Sequence, residues 1–305
     1  MTKDDLLGKT VETRPQAEEA LAEAEQEEEI REASKLSPST IYEIIRLDGE
    51  EELERNKMSL LWSGISAGIV ISFSVLGEAI FRTYLPDAPW AYLVENLGYS
   101  LGFLVVITGR MQLFTENTMT TVLPLLEEPS VRMFRAFLAL WGIVLIANVI
   151  GAFAVSTFIA YAGAIPEEIM PALFELSHHA TSMPASQGFA RGIPAGVLIA
   201  AIVWMMPQAK SSSVTVVILF TWLIAAGDFT HIIAGSVEMA LLVVTGALPV
   251  GQALFGFFLP VLAGNVVGGT VIFTMLVYGQ TRRDRLRRAE ERAEGRRGLP
   301  LVDFR

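Results

Sequence analysis

The chain has 305 residues, 52% of them hydrophobic, a formal net charge of −10 and a mean hydropathy of +0.46. So apolar an average at this length excludes an ordinary soluble domain, and the lack of cysteine excludes disulfides, thiolate metal sites, iron–sulfur clusters and cysteine nucleophiles. Residues 1–57 hold about half of the acids and arginines crowd the end beyond 281, so the pattern is a membrane domain with two solvated tails, whose net acidity says little about its core.

Residues 1–36 are acidic and polar, with the run Glu27-Glu28-Glu29. The alanine–glutamate stretch over 16–33 has helix propensity but almost no apolar face, which predicts a disordered or solvated cytoplasmic tail. No basic-then-apolar pattern and no small-residue cleavage site precede the first span, so no removable signal peptide is expected. Over 37–57, Ser37-Pro38 and Thr40-x-x-Glu43 are helix-start signals. Ile41, Ile44, Ile45 and Leu47 then predict an amphipathic helix along the cytoplasmic interface.

The transport-sized region is 58–279, with six apolar segments near 59–83, 91–126, 134–163, 190–207, 214–248 and 254–279. The second and fifth run to about 35 residues, beyond one crossing of about 20. Each carries polar residues at its middle: Arg110, Gln112, Thr115, Glu116 and Asn117 in the second, Asp228, Thr230 and His231 in the fifth. A helix interrupted by a short buried loop facing a cavity accommodates both the length and the polarity. Breaks are therefore expected near Thr115 and near His231.

Orientation follows from the basic residues. Arg55, Lys57, Arg132, Arg135 and Lys210 fall in alternate connections, the arginine tail follows the last span, and the opposite connections near 84–90, 164–189 and 247–252 contain no Lys or Arg. Both termini are expected in the cytoplasm. The region also repeats itself: Gly64-Ile65-Ser66-Ala67-Gly68 matches Gly192-Ile193-Pro194-Ala195-Gly196, and Asn148-Val149-Ile150-Gly151 matches Asn265-Val266-Val267-Gly268. Three spans per repeat is odd, so the halves are expected to insert in opposite senses, the arrangement that places a transport site near the midplane. The basic tail, 280–305, holds Arg282, Arg283, Arg285, Arg287, Arg288, Arg292, Arg296 and Arg297. It either meets anionic headgroups or simply retains the C-terminus inside.

His231 is an ionisable group in the middle of an apolar segment; such a group is costly enough to mark a functional site, the alternative being a hydrogen-bonded histidine of helix packing. Around it, Phe229-Thr230-His231-Ile232-Ile233-Ala234 resembles the fifth-helix motif of the formate/nitrite transporter family. Leu113-Phe114-Thr115, followed by Glu116-Asn117, resembles that family's leucine–phenylalanine–threonine signature in its broken second helix. Ser37-Pro38, Tyr42-Glu43-Ile44 and Gly49-Glu50 resemble the segment before its first helix. The resemblance covers residues 37–279 and implies an aquaporin-like all-α fold, a homopentamer with one pore per subunit, and a histidine beside the constriction. Departures stand at Arg110, Met111 and Gln112, where the family has a glycine, a small residue and a carboxylate. Thr230 stands for its glutamate and Gly235 for its asparagine, which leaves the substrate open.

The function expected is a channel or secondary transporter in the plasma (inner) membrane for small monovalent anions or their conjugate acids, proton-coupled through His231. Thr115 supplies a hydroxyl and His231 an N–H donor or a proton. Half-helix N-termini lower the cost of bringing an anion there. Leu113, Phe114, Phe229, Thr230, Arg110, Glu116 and Asn117 complete the expected pathway, with Phe114 and Phe229 either narrowing it or packing helices. Arg110 is either a vestibule cation or a partner of Glu78, Glu116 or Glu238. Glu238 is either a proton relay or a packing residue, and His178-His179 read as solvated residues of an outer loop. Alternatives are a non-conducting scaffold or stress-related protein, and a cation or proton pathway using Glu116 and Glu238. No phosphate loop, nucleophile elbow or dinucleotide fingerprint points to an enzyme, and no cofactor, metal or nucleic-acid partner is expected. Expected partners are the small anion or weak acid, lipid and further copies of the chain.

Overall fold

The computed structural model describes residues 35–297. The acidic run 1–34 and the last residues of the basic tail, 298–305, lie outside the described residues. Residues from Pro38 onward form one compact unit, helical and without strands among the described residues. Helix α1 is Pro38–Glu54, α2 Lys57–Val70 and α3 Ser72–Tyr84. The short α4, Ala91–Glu95, runs through a 3₁₀ turn into α5, Ser100–Thr108. After a break come α6, Phe114–Thr120, α7, Val122–Glu127, and the 31-residue α8, Val131–Tyr161. Then follow α9, Met170–Thr181, α10, Ala185–Ala209, and α11, Ser213–Ala226; a second break leads to α12, Ile232–Val244. The last helical run is α13, Val250–Gln252, α14, Leu259–Val266, and α15, Met275–Arg297, joined by wide i→i+5 turns over Ala253–Phe258 and Val267–Thr274.

Among the described residues, five helices are long and apolar enough to cross a membrane: Lys57–Tyr84, Ala91–Thr108, Val131–Tyr161, Ala185–Ala226 and Val250–Arg287. Ala185–Ala226 has 42 residues, twice the length of about 20 that one crossing needs. It is divided at Lys210, whose φ of 39° turns the chain, and α11 packs back against α10. Ile232–Val244 is a shorter apolar helix.

The repeated small-residue motifs form two equivalent helix crossings. A β-carbon on Gly68 of α2 would fall on the Asn148 carbonyl of α8, and one on Gly196 of α10 would fall on the Asn265 carbonyl of α14. Backbones meet that closely only where side chains vanish. The first halves of the two broken segments lie together, tied by Thr221 Oγ1 donating to Ser100 Oγ at 2.9 Å and by Trp222 Nε1 donating to the Leu93 carbonyl at 2.7 Å.

Helix α1 is seated on the protein body. Ile41, Tyr42 and Ile45 are buried while Leu47 is 51% exposed, so the apolar face is narrower than the sequence pattern and turned toward α6, α7, α10 and α15. The basic tail contributes to this seat. Arg285 of α15 ion-pairs with Glu127 of α7, its guanidinium lies 3.8 Å from the centre of the Tyr42 ring, and Tyr42 Oη donates to Glu127 at 2.8 Å. Burial, and then the bond to Glu127, push the Tyr42 phenol above its usual range. Arg285 thus joins three helices, a structural role beyond orienting the C-terminus.

Leucine at Gly68 or Gly196 is expected to lower the melting temperature of the purified protein by about 5 °C or more, because overpacking a crossing costs about 1–3 kcal/mol or more. Gly279→Ala, where a β-carbon meets nothing within 4 Å, is expected to leave it unchanged. Thermal unfolding of the three variants in one detergent checks this, and equal midpoints would remove the crossing argument.

Candidate substrate pathway

The two breaks are copies of one another at the backbone. Arg110 and Asp228 occupy the left-handed region at φ 51° and 53°, following Gly109 and Gly227. Leu113 and His231 are then extended, at φ −102°, ψ 124° and φ −103°, ψ 125°, and each begins a half-helix. The structural counterpart of His231 is therefore Leu113, and Thr115 lies one position beyond the residue matching Ile232.

Two asparagines hold these breaks. Asn148 accepts from the Phe114 N–H at 2.9 Å and donates to the Gly64 and Gln112 carbonyls, both at 2.8 Å. Asn265 accepts from the Ile232 N–H at 2.9 Å and donates to the Gly192 carbonyl at 2.9 Å and the Thr230 carbonyl at 2.8 Å. Both are fully buried. A break strips the backbone of its helical partners; each amide replaces two of them and spends its third bond on a glycine carbonyl of the neighbouring helix. The motif Asn-Val-(Ile/Val)-Gly carried this signal in the sequence, where its glycine was the residue read.

His231 is 2% exposed and caps α12, its Nδ1 accepting from the Ala234 N–H at 3.3 Å. An acceptor Nδ1 places the ring proton on Nε2. Nε2 lies 2.8 Å from Thr115 Oγ1, so the imidazole donates and the threonine hydroxyl accepts. The Thr115 proton is then left to point elsewhere. Phe103 of α5 meets the imidazole edge-on at 4.9 Å, a contact that sequence reasoning missed because Phe103 sits in an unbroken apolar run.

The remaining expected residues divide by break. Leu113, Arg110, Glu116 and Asn117 line a cavity of about 420 Å³ bounded also by Asp48 and Glu52 of α1. Phe229, Thr230 and His231 line one of about 60 Å³, together with Glu78 and Glu238. Phe114 joins neither: its ring packs edge-on against Trp141 at 5.1 Å, so of the two aromatics it is the packing one. Arg110 pairs with Asp48 at 3.8 Å and is 77% exposed, a partner other than Glu78, Glu116 or Glu238. Burial pushes the Asp48 carboxyl up while Arg110 draws it down. Glu116 has a buried Oε1 without a hydrogen-bond partner. Thr230 is spent on the Gly188 carbonyl at 3.0 Å.

Gln112, at the position where a carboxylate was expected, donates to Glu52 Oε2 at 2.6 Å and accepts from Asn117 Nδ2 at 3.1 Å. That chain links α1 to the first break. His178 and His179 are on α9 rather than in a loop, and His179 Nε2 lies 2.9 Å from Asp228 Oδ1. Arg191 pairs with the other Asp228 oxygen. The residue before the histidine motif is thus held from two helices.

These features define an integral α-helical membrane protein with two paired interrupted helices at its centre. The profile of the formate/nitrite transporter family matches residues 39–279. The chain is 44% identical over 259 residues to the inner membrane protein YfdC of Escherichia coli, covering 84% of each chain. It is 25% identical over 236 residues to the formate channel FocA of Haemophilus influenzae, covering 68% of this chain and 82% of that one. A solved pentameric formate channel with formate bound superposes with a TM-score of 0.63 at 24% identity, over 73% of this chain and 96% of that one. The chain belongs to the formate/nitrite transporter family.

Asn265→Leu is expected to destabilise the protein by about 3 kcal/mol or more, since each buried polar group left unpaired costs about 1–3 kcal/mol. Chemical unfolding in mild detergent measures it. Nitrogen NMR of labelled His231 is expected to show a protonated Nε2 and a bare Nδ1 at neutral pH; the opposite tautomer would contradict the cap.

Proposed function

We propose that this chain is a channel or secondary transporter for small monovalent anions or their conjugate acids. The observation that carries the reading is the 2.8 Å bond between His231 and Thr115, which joins the two breaks; His231 lines the smaller cavity, while Thr115 lines neither of the two. An anion leaving water for an apolar constriction faces several kcal/mol of lost hydration. The Thr115 hydroxyl, polarised by the imidazole that donates to it, offsets part of that loss, as do the N-terminal ends of α6 and α12. With Nε2 as the donor, passage rests first on a neutral hydrogen bond. Proton coupling needs a second proton on Nδ1, which is released from its cap as that proton arrives.

The family's transport role and the relatives' names support the substrate class. The 42-residue Ala185–Ala226, folded at Lys210, supports six spans in two inverted repeats. The basic connections support cytoplasmic termini, and the likeness to YfdC supports the inner membrane. The likeness to a pentameric formate channel supports a homopentamer, to which we assign one pathway per subunit. The carboxylates Glu78 and Glu238 beside His231, and the unbonded Glu116 oxygen, favour a second reading, a cation or proton pathway. Reversal potentials under an anion gradient separate the two.

In proteoliposomes, Thr115→Val is expected to cut formate or nitrite flux about tenfold, the loss of one donor of about 1.4 kcal/mol at the barrier. His231→Asn keeps a capping and hydrogen-bonding side chain and is expected to retain flux but lose its pH dependence. His231→Phe is expected to abolish that dependence with the oligomer intact. Equal flux of wild type and His231→Phe from about pH 5 to 8 would make the histidine structural.

A further inference from the structure

The side of the structure that carries α9 holds a second cavity, of about 730 Å³, lined by Glu78, Arg82, Glu95, Glu175, His178 and His179 among others. His179 also lines the smaller cavity that ends on His231; His178 does not. His179 therefore stands at the neck between open water and the candidate site. Its side chain is 64% exposed, while its Nε2 rests 2.9 Å from Asp228 at the second break.

The ionisable side chains facing this neck are mostly acidic. From α3 come Glu78 and Arg82, from the α4 region Asp87, Tyr92, Glu95 and Tyr99, and from α9 itself Glu175 and His178. The second break supplies Asp228 and α12 supplies Glu238. Arg82 is the one Lys or Arg among the described residues lining either cavity, and it is shared between Glu95 at 3.4 Å and Glu175 at 2.7 Å. Asp228 is already met by Arg191. A small anion approaching His231 from this side therefore passes more acidic than basic side chains, and imidazole is the side-chain type suited to changing charge near neutral pH.

We propose that His179 is the anion-admitting residue of this mouth: its imidazolium, seated on Asp228, reverses the local sign at the neck and receives the small monovalent anion before it reaches His231. The inference rests on the transport reading above. With His179 neutral, Asp228 and Arg191 cancel. With it charged, the three groups sum to one positive charge at the narrowest approach, and a focused field raises the local anion concentration. The imidazole N–H not facing Asp228 is then the donor presented to the anion. The device uses acidity on the side of α9, and leaves the Thr115–His231 bond unaltered.

The test uses formate uptake by cells expressing the full chain, with internal pH clamped and the side bearing α9 established by accessibility labelling. Each variant is expressed as a ratio to wild type at the same pH, which cancels the changing supply of formic acid. The ratio for His179→Ala is expected to fall about three- to tenfold between pH 8 and 6 on that side. His179→Lys, a permanent cation, is expected to show a ratio that is highest at pH 8. Ratios that do not change with pH would overturn the proposal. A second readout does not depend on conduction: formate added to the labelled protein in nanodiscs is expected to shift the His179 imidazole signal, assigned by its loss in His179→Ala, at pH 6 and not at pH 8. A wild type that moves no formate at any pH defeats the transport reading. An unshifted His179 signal defeats this inference, whichever way the flux falls.

Discussion

Everything at the centre of this protein depends on satisfying backbone groups where a helix is interrupted away from water. An unpaired amide or carbonyl in so apolar a surrounding costs more than any local gain in side-chain contact. Asn148 and Asn265 meet that demand from neighbouring helices, each with two bonds to its break and a third to a glycine carbonyl of the helix it crosses. Their helices can come near enough to do so only because Gly68 and Gly196 leave no side chain at the crossing. Glycine contact, asparagine bridge and extended cap residue are thus one construction, made twice.

Upon that construction the two breaks follow one backbone path and differ in their side chains. The extended residue that is Leu113 in one half is His231 in the other, and the imidazole gains two tasks from the position: capping α12 and reaching Thr115. The cap fixes the proton on Nε2, so the backbone of one half sets the donor offered to the hydroxyl of the other. Further out, the left-handed residues carry Arg110 and Asp228, each held by a neighbouring helix. The breaks are anchored from outside as well as from within.

Much of this was legible in residue order. Excess length with polar centres in the second and fifth segments located both interruptions, because a membrane leaves few other solutions for such a stretch. His231 and Thr115 meet directly, although the residue holding the histidine's place in the other half is Leu113. What escaped were contacts that no spacing encodes. Phe103 reaches His231 from a run with no polar marker, and Phe114, though beside Thr115, packs its ring on Trp141. Arg285 looked like one arginine of a basic tail, yet its cation covers the Tyr42 ring. The repeat was visible, but its asparagines were read through the glycines beside them. The pairing of His179 with Asp228 spans 49 residues, and nothing in either local sequence announces it.

The equivalence of Leu113 and His231 bears on direction. A pathway with twofold-related backbones but an imidazole on one side only has a lopsided free-energy profile: a solute climbs a different slope from each end. Such a profile lets current or flux rectify when gradients are large. It cannot move a solute uphill, because at equilibrium the two one-way rates through any shape of barrier are equal. Net direction would then come from concentration, voltage or proton gradients across the bilayer, and the asymmetry of the halves would set only how steeply the rate answers to each.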